Sequence, residues 1–326
     1  MTKILETEKQ QNSSFKTKLI KWSRHPAFYP FIGFFVVFFI MVIYNDNFLS
    51  PNNLSNVARQ VSINAILAVG MTCAILLGGI DLSVGPVMAL SGTATAGMMV
   101  SGIPPVVAIP AGLLIGMAFG AANGFMIAYA KMPAFIVTLA SLGIARGIGL
   151  IYTGGYPISG LPDSFSFWGR GNVFGLQTPI LIMLVVYIVA YILLNHTPFG
   201  RYVYAIGGNE EASRLSGIRV PIVIMAVYTI SGITAAIAGL ILTSRLMSGQ
   251  PNAGVGFELD AIAAVVIGGT AMSGGRGMII GTLIGAMLLG VLNNGLNLAG
   301  ISPYVQNVIK GIIILIAIYI GISKRK

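Results

Sequence analysis

Ten apolar stretches, each 15–25 residues long, follow one another through this chain. They lie at 28–44, 57–77, 86–100, 106–130, 134–152, 179–195, 222–246, 258–272, 277–298 and 304–322. A helix needs about 20 mainly apolar residues to cross the hydrocarbon of a bilayer. Charged residues make up 9% of the chain, against about 25% in a soluble domain. No strand-like alternation runs through the stretches, so helices must satisfy the backbone in lipid. The expected fold is an all-α membrane protein, a polytopic bundle of about ten transmembrane helices. The expected organisation is a polar tail at 1–27 and one transmembrane domain at 28–326, with no room for a soluble ATPase or receptor domain. No small-residue cleavage site follows the first apolar run, so no removable signal peptide is expected.

The net charge of +10 reads as membrane orientation, not as nucleic-acid binding. With the N-terminus inside, 14 of the 19 basic residues fall on inner segments. Lys and Arg gather on cytoplasmic loops, so both termini are expected in the cytoplasm. Arg59, Arg170 and Arg245 then fall at the outer side, and Arg146 and Lys310 within spans, where they are expected to snorkel or to meet backbone carbonyls. The segment 153–178, with Trp168, becomes an external loop.

Against this background the polar break 196–219, HTPFGRYVYAIGGNEEASRLSGIR, requires a partner outside the bilayer. Gly207 and Gly208 are read as ending an extended aromatic stretch. Asn209 can then cap a short helix. Glu210 and Glu211 sit in its first turn, where acids are favoured. Arg214 follows on the same face, and Gly217 stops the helix.

No catalytic or metal-binding constellation is present. His25 and His196 border spans, no Cys or His cluster has metal spacing, and the glycine runs lack a phosphate-loop ending. The lone cysteine, Cys73, reads as a packing residue. Polar groups within spans remain: Asn64, Thr72 and Asn123 early, then Asn293, Asn294, Asn297, Gln306 and Asn307. Such groups should face the bundle interior or a water path. Neutral amides and hydroxyls suit an uncharged polyhydroxyl solute; they equally serve as glue between helices. Asp81 lies in a glycine-rich turn at 78–86, read as an ion site, as a cap on the helix near Pro86, or as an acid simply located at the inner interface. Glu258 and Asp260 read as caps of the eighth stretch. Two 15-residue stretches adjoin glycine-rich turns, 78–86 and 268–277. At an offset of 190 residues Gly78 matches Gly268, Gly79 Gly269, Ser83 Ser273 and Gly85 Gly275. Interrupted segments in matching halves point to a transport path; the same glycines equally serve close helix packing.

Glu211-Ala212-Ser213 with Gly217 resembles the start of the EAA loop of bacterial ABC-importer permeases, without that loop's downstream Ile and Pro spacing. NAILAVGMT at 64–72, GGIDLSVG at 78–85, GRYVYAIGGNEEASRLSGI at 200–218, ELDAIAAVVIGGT at 258–270 and GTLIGAMLLGVLNNGLNL at 281–298 resemble the ribose-type sugar permeases. The likeness runs from about 48 to 311. It implies the ABC-importer permease fold, with 196–221 as a cytoplasmic coupling loop. Asn209, Glu210, Glu211, Ala212, Arg214 and Gly217 would engage a separate cytoplasmic ATPase, which alone holds ATP and magnesium, so this chain would bind no cofactor. The implied partners are a second permease copy, forming a homodimer, and a periplasmic or lipid-anchored sugar-binding protein. The implied location is the bacterial plasma membrane and the implied cargo is D-ribose. The candidate path residues are Asn64, Asp81, Ser83, Asn123, Asn293, Asn294 and Asn297. Another sugar, a sugar-like signal or a nucleoside is the alternative cargo. An ion-coupled secondary transporter, needing an in-membrane acid such as Asp81, is the remaining rival.

Overall fold

A computed structural model describes residues 28–323. The tail 1–27, its cytoplasmic assignment and the basic residues at 324–326 lie outside the described residues. Each apolar stretch carries a helix: α1 (Phe28–Tyr44), α2 (Pro51–Leu76), α3 (Val84–Val100), α4 (Pro105–Ala128) and α5 (Ala134–Thr153). Two short helical pieces follow, a 3₁₀ turn Asp163–Ser166 and α6 (Phe167–Arg170). Then come α7 (Thr178–His196), α8 (Pro198–Gly208), α9 (Glu210–Leu215) and α10 (Val220–Leu246). The chain continues through α11 (Phe257–Ile267), α12 (Ile279–Leu298) and α13 (Pro303–Ser323). Among the described residues six helices, α2, α4, α5, α7, α10 and α12, are long and apolar enough to cross a membrane; α1 and α3 are shorter apolar helices.

The eighth stretch departs from expectation. Its helix, α11, stops at Ile267, not at Met272. Eleven residues rise only about 16 Å, half the hydrocarbon thickness. The cause is a glycine C-terminus. Gly269 has φ +89° and its N–H bonds to the Val266 carbonyl (3.0 Å), while that of Thr270 reaches Val265 (3.1 Å). Helix α2 ends in the same motif: Gly78 has φ +83°, its N–H bonds to Ile75 (2.8 Å) and that of Gly79 to Ala74 (3.0 Å). The backbone thus equates Gly78 with Gly269, one residue beyond the 190-residue match that pairs Gly78 with Gly268.

The core runs along α2, buried almost without break from Val61 to Leu76. Helices α4 and α10 approach most closely. Gly116, Gly120 and Gly124 recur at every fourth residue of α4, and a methyl on any of them would strike backbone of α10 at Gly232, Tyr228 or Met225. Small residues at this spacing let backbones touch in lipid. The loop 153–178 is folded onto the bundle: Ile158–Ser159 pairs antiparallel with Ser248–Gly249, just past α10. Asn172–Val173 and Leu176–Gln177 form a hairpin.

Two in-span charges find partners. Lys310 on α13 pairs with Asp260 on α11 at 3.0 Å, both largely buried. Asp260 is therefore an ion-pair partner, not a cap, and Lys310 meets a carboxylate, not a backbone carbonyl. Arg146 donates to the Ala253 carbonyl (2.9 Å). Glu258 accepts from the Gly256 N–H (3.3 Å) at the start of α11.

Candidate functional site

The polar break folds as two helices, not as an extended stretch with one helix. Thr197 caps α8 by accepting from the Gly200 N–H (3.4 Å), and Pro198 follows at the first helical position, where its missing N–H costs nothing. The aromatic run 202–204 lies inside this helix. Helix α9 begins at Asn209, whose Oδ1 accepts from the Ala212 N–H (2.9 Å). Glu210 and Glu211 occupy its first turn, and Arg214 forms an ion pair with Glu211. Gly217, at φ +83°, closes the helix: its N–H bonds to Arg214 (3.0 Å) and that of Ile218 to Ser213 (3.1 Å). Only Ser213 of α9 is buried. Glu210, Glu211, Ala212 and Arg214 face outward, and so does Leu215, 81% exposed. Sequence reading missed Leu215, because a single exposed apolar residue carries no signal of its own.

Behind α9, helix α8 rests on both glycine turns. The Leu76 carbonyl at the end of α2 accepts from the Gly275 N–H (2.9 Å). Gly207 sits on this bond so closely that an added Cβ would meet the Leu76 carbonyl and the Gly275 nitrogen. Gly274 and Gly275 are in turn pressed against Gly78, Gly207 and Gly208. Tyr204 donates to the Gly277 carbonyl (3.1 Å). Two interrupted segments and the polar element thus meet through bare backbone.

Asp81 is fully enclosed, 1% exposed. One oxygen accepts from the Ser83 N–H (3.0 Å) and the Ser83 hydroxyl (2.5 Å); the other accepts from the Ser231 hydroxyl of α10 (2.7 Å). The cap reading for Asp81 is not met: α3 starts at Val84 with Ser83 preceding it. Asn123 of α4 donates to the Ser83 hydroxyl (3.0 Å) and accepts from Ser141 of α5. Thr138 of α5 donates to the Ile80 carbonyl (3.0 Å). Asp81, Ser83 and Asn123 therefore form one buried network that ties the first turn to α4, α5 and α10. Sequence reading missed Ser141 and Ser231, because a hydroxyl in an apolar helix carries no pattern of its own.

The late amides do not join this network. Asn294 and Asn53 exchange two hydrogen bonds between α12 and α2 (2.9 and 2.7 Å). Asn297 is exposed and accepts from Gln306 of α13 (2.8 Å). The Asn293 Oδ1 is buried without a partner. Asn64 lies in α2 at the margin of burial, and Thr72 meets Thr282 hydroxyl to hydroxyl (2.8 Å). Among the described residues no cluster of His, Cys, Asp or Glu could hold a metal ion.

Residues 53–318 match a family described as branched-chain amino acid transport system, permease component. The chain is 52% identical over 297 residues to the ribose import permease protein of Bacillus subtilis (strain 168), covering 90% of this chain and 92% of that one. It is 47% identical over 298 residues to the ribose import permease protein of Escherichia coli (strain K12), covering 90% and 93%. It is 36% identical over 322 residues to the D-allose transport system permease protein of the same organism, covering 97% of each. No solved structure matches the chain.

Proposed function

The chain belongs to the family of transport-system permease components, and from that premise we propose that it is the membrane subunit of an ATP-driven importer for ribose. It is a transport subunit, not an enzyme. ATP and magnesium sit on a separate cytoplasmic ATPase, and this chain holds no cofactor. A binding protein delivers the sugar, and two copies of the chain form the pathway. In this reading all ten stretches contribute to crossing the bacterial plasma membrane, with both termini, α8 and α9 on the cytoplasmic side. Ribose is preferred because the relatives named for ribose share more identity with the chain than the one named for allose.

The observation that carries the mechanism is the seat of α8 on both glycine turns. Helix α9 offers the ATPase a capped surface of Glu210, Glu211, Ala212, Arg214 and Leu215, ended by Gly217. A push on α9 passes to Gly207, then to the ends of α2 and α11. Both turns lack side chains at the contact, so the backbones move as one body. A rigid shift of interrupted helices is the kind of motion that switches access from one side to the other.

The test is uptake of labelled ribose in cells that lack their own ribose permease but keep its ATPase and binding protein. ATP-dependent uptake that appears with this chain and is abolished by excess unlabelled ribose is the expected result. Uptake that persists without the ATPase would overturn the reading.

A further inference from the structure

A second feature lies at the opposite end of the bundle from α9. A cavity of about 420 Å³ opens between α4, α7 and α10, under the 3₁₀ turn and α6. Its wall is hydrocarbon and aromatic, including Leu113, Phe165, Trp168, Val185, Leu240 and Ile241. This volume is within the roughly 300–1,000 Å³ of ligand sites. Its depth along the helices is informative. The α7 lining starts one turn inside the start of that helix at Thr178, and the α10 lining stops one turn before its end at Leu246. The cavity therefore lies in the hydrocarbon just below the helix ends.

Above it stand three arginines. Arg245 follows Ile241 by four residues on α10 and so shares its face. Arg170 follows Trp168 on α6 and donates from Nε to the Arg245 carbonyl (2.8 Å). Arg59 of α2 is near enough to Arg245 for mutual repulsion, as is Arg170. The Arg59 Nε is buried and has no partner. Neither of the two ion pairs among the described residues involves these arginines. At the start of α7 the Thr178 hydroxyl, which can donate, is likewise buried without a partner.

Uncancelled cations at the membrane surface above a dry apolar slot match one kind of molecule. We propose that this is a binding site for an anionic phospholipid, with its phosphate on Arg59, Arg170 and Arg245 and an acyl chain in the cavity. Phosphate and guanidinium form charge-assisted, geometrically specific hydrogen bonds. An acidic protein surface would satisfy the arginines and leave the slot unfilled. A second copy of this chain seated patch to patch would bring like charges together. The site rests on the proposed orientation only for its leaflet, which is then the outer one.

The full-length chain, purified in mild detergent, is titrated with dioleoyl phosphatidylglycerol and with dioleoyl phosphatidylcholine, and retained lipid is counted by native mass spectrometry. One phosphatidylglycerol is expected to be held at least about tenfold more tightly than phosphatidylcholine, the scale of one charge-assisted hydrogen bond. Inorganic phosphate at equal concentration leaves it bound. The pair Arg170→Gln with Arg245→Gln erases the preference, and Val185→Trp, which fills the slot, lowers retention of both lipids. Equal retention of the two lipids by the unmodified chain overturns the proposal and requires no variant to fold. Phosphatidylglycerol retention untouched by both kinds of variant also overturns it, as does a dimer that these variants break and lipid does not. No transport is measured, so failure here is distinct from failure of the importer reading.

Discussion

Replacing Gly207 and Gly208 one at a time isolates the contact that joins the polar element to the helix breaks. The Cβ of Gly207→Ala would stand against the Leu76 carbonyl, 2.6 Å from the Gly275 nitrogen and 2.9 Å from the Leu76 carbonyl carbon. All three are backbone atoms of other segments, and none can rotate away. Overpacking of this kind costs about 1–3 kcal/mol. Parting the hydrogen bond from Gly275 to Leu76 adds about 0.5–1.5 kcal/mol. Alanine returns up to roughly 1 kcal/mol through its better helix propensity. The net loss is therefore about 0.5–4.5 kcal/mol. Gly208→Ala meets nothing within 4 Å, and carries the same propensity gain with no clash. At roughly 2–4 °C per kcal/mol, the thermal midpoint in detergent should fall by several degrees for Gly207→Ala and hold or rise for Gly208→Ala. Ribose uptake should follow the same split. Equal damage from the two variants, or a Gly207→Ala protein that melts and transports like the parent, would refute the argument from contact.

Three further perturbations test separate parts of the structure. Glu211→Lys breaks only an exposed ion pair, worth about 0–1 kcal/mol, so the midpoint should stay fixed while uptake uncouples from ATP hydrolysis; unchanged transport would remove α9 from the coupling role. Asn294→Leu removes both bonds that Asn53 makes to α12 and leaves it the Phe48 carbonyl alone, and a double-mutant cycle of the two asparagines, read by unfolding in bicelles, should give a coupling of about 0.6–1.7 kcal/mol; zero coupling would return Asn294 to the candidate path. Asp260→Asn strands the buried Lys310 and should cost about 3–5 kcal/mol, with Lys310→Met in the same chain recovering much of it; if the single variant melts normally, the ion pair does not hold α13 to α11.

The helical membrane class was legible because apolar length is a local property, readable at each stretch. The cap at Asn209 and the stop at Gly217 were legible for the same reason: both act within one turn. The extended reading of 202–204 failed because aromatic alternation resembles a strand, whereas Thr197 and Pro198 already open a helix. Length also misled at 258–272, where apolar residues continue past Gly269 but the helix does not. The glycine period of α4 was present in the sequence and passed over, since 42 glycines hide a pattern that only the partner helix gives meaning to. Partners across the fold, such as Ser231 for Asp81 or Asn53 for Asn294, depend on packing between distant segments and leave no trace in spacing.

Burial also changes what the polar residues can do. A solute rich in hydroxyls needs groups with free hydrogen-bonding capacity along its route. Asp81, Ser83 and Asn123 spend theirs on one another and on neighbouring helices, and Asn294 spends its own on Asn53. Each such bond fixes one helix against another, which suits a body that moves rigidly better than a lining that a sugar slides past. Asn297 is different: it is exposed at the end of α12. In the proposed two-copy arrangement the route therefore belongs between the copies, on surfaces a single chain leaves open. Asn297→Leu should then slow ribose uptake and leave the melting midpoint of the single chain within about 0.5 kcal/mol of the parent. A fall in stability with normal uptake would assign Asn297 to its bond with Gln306 and take it off the route.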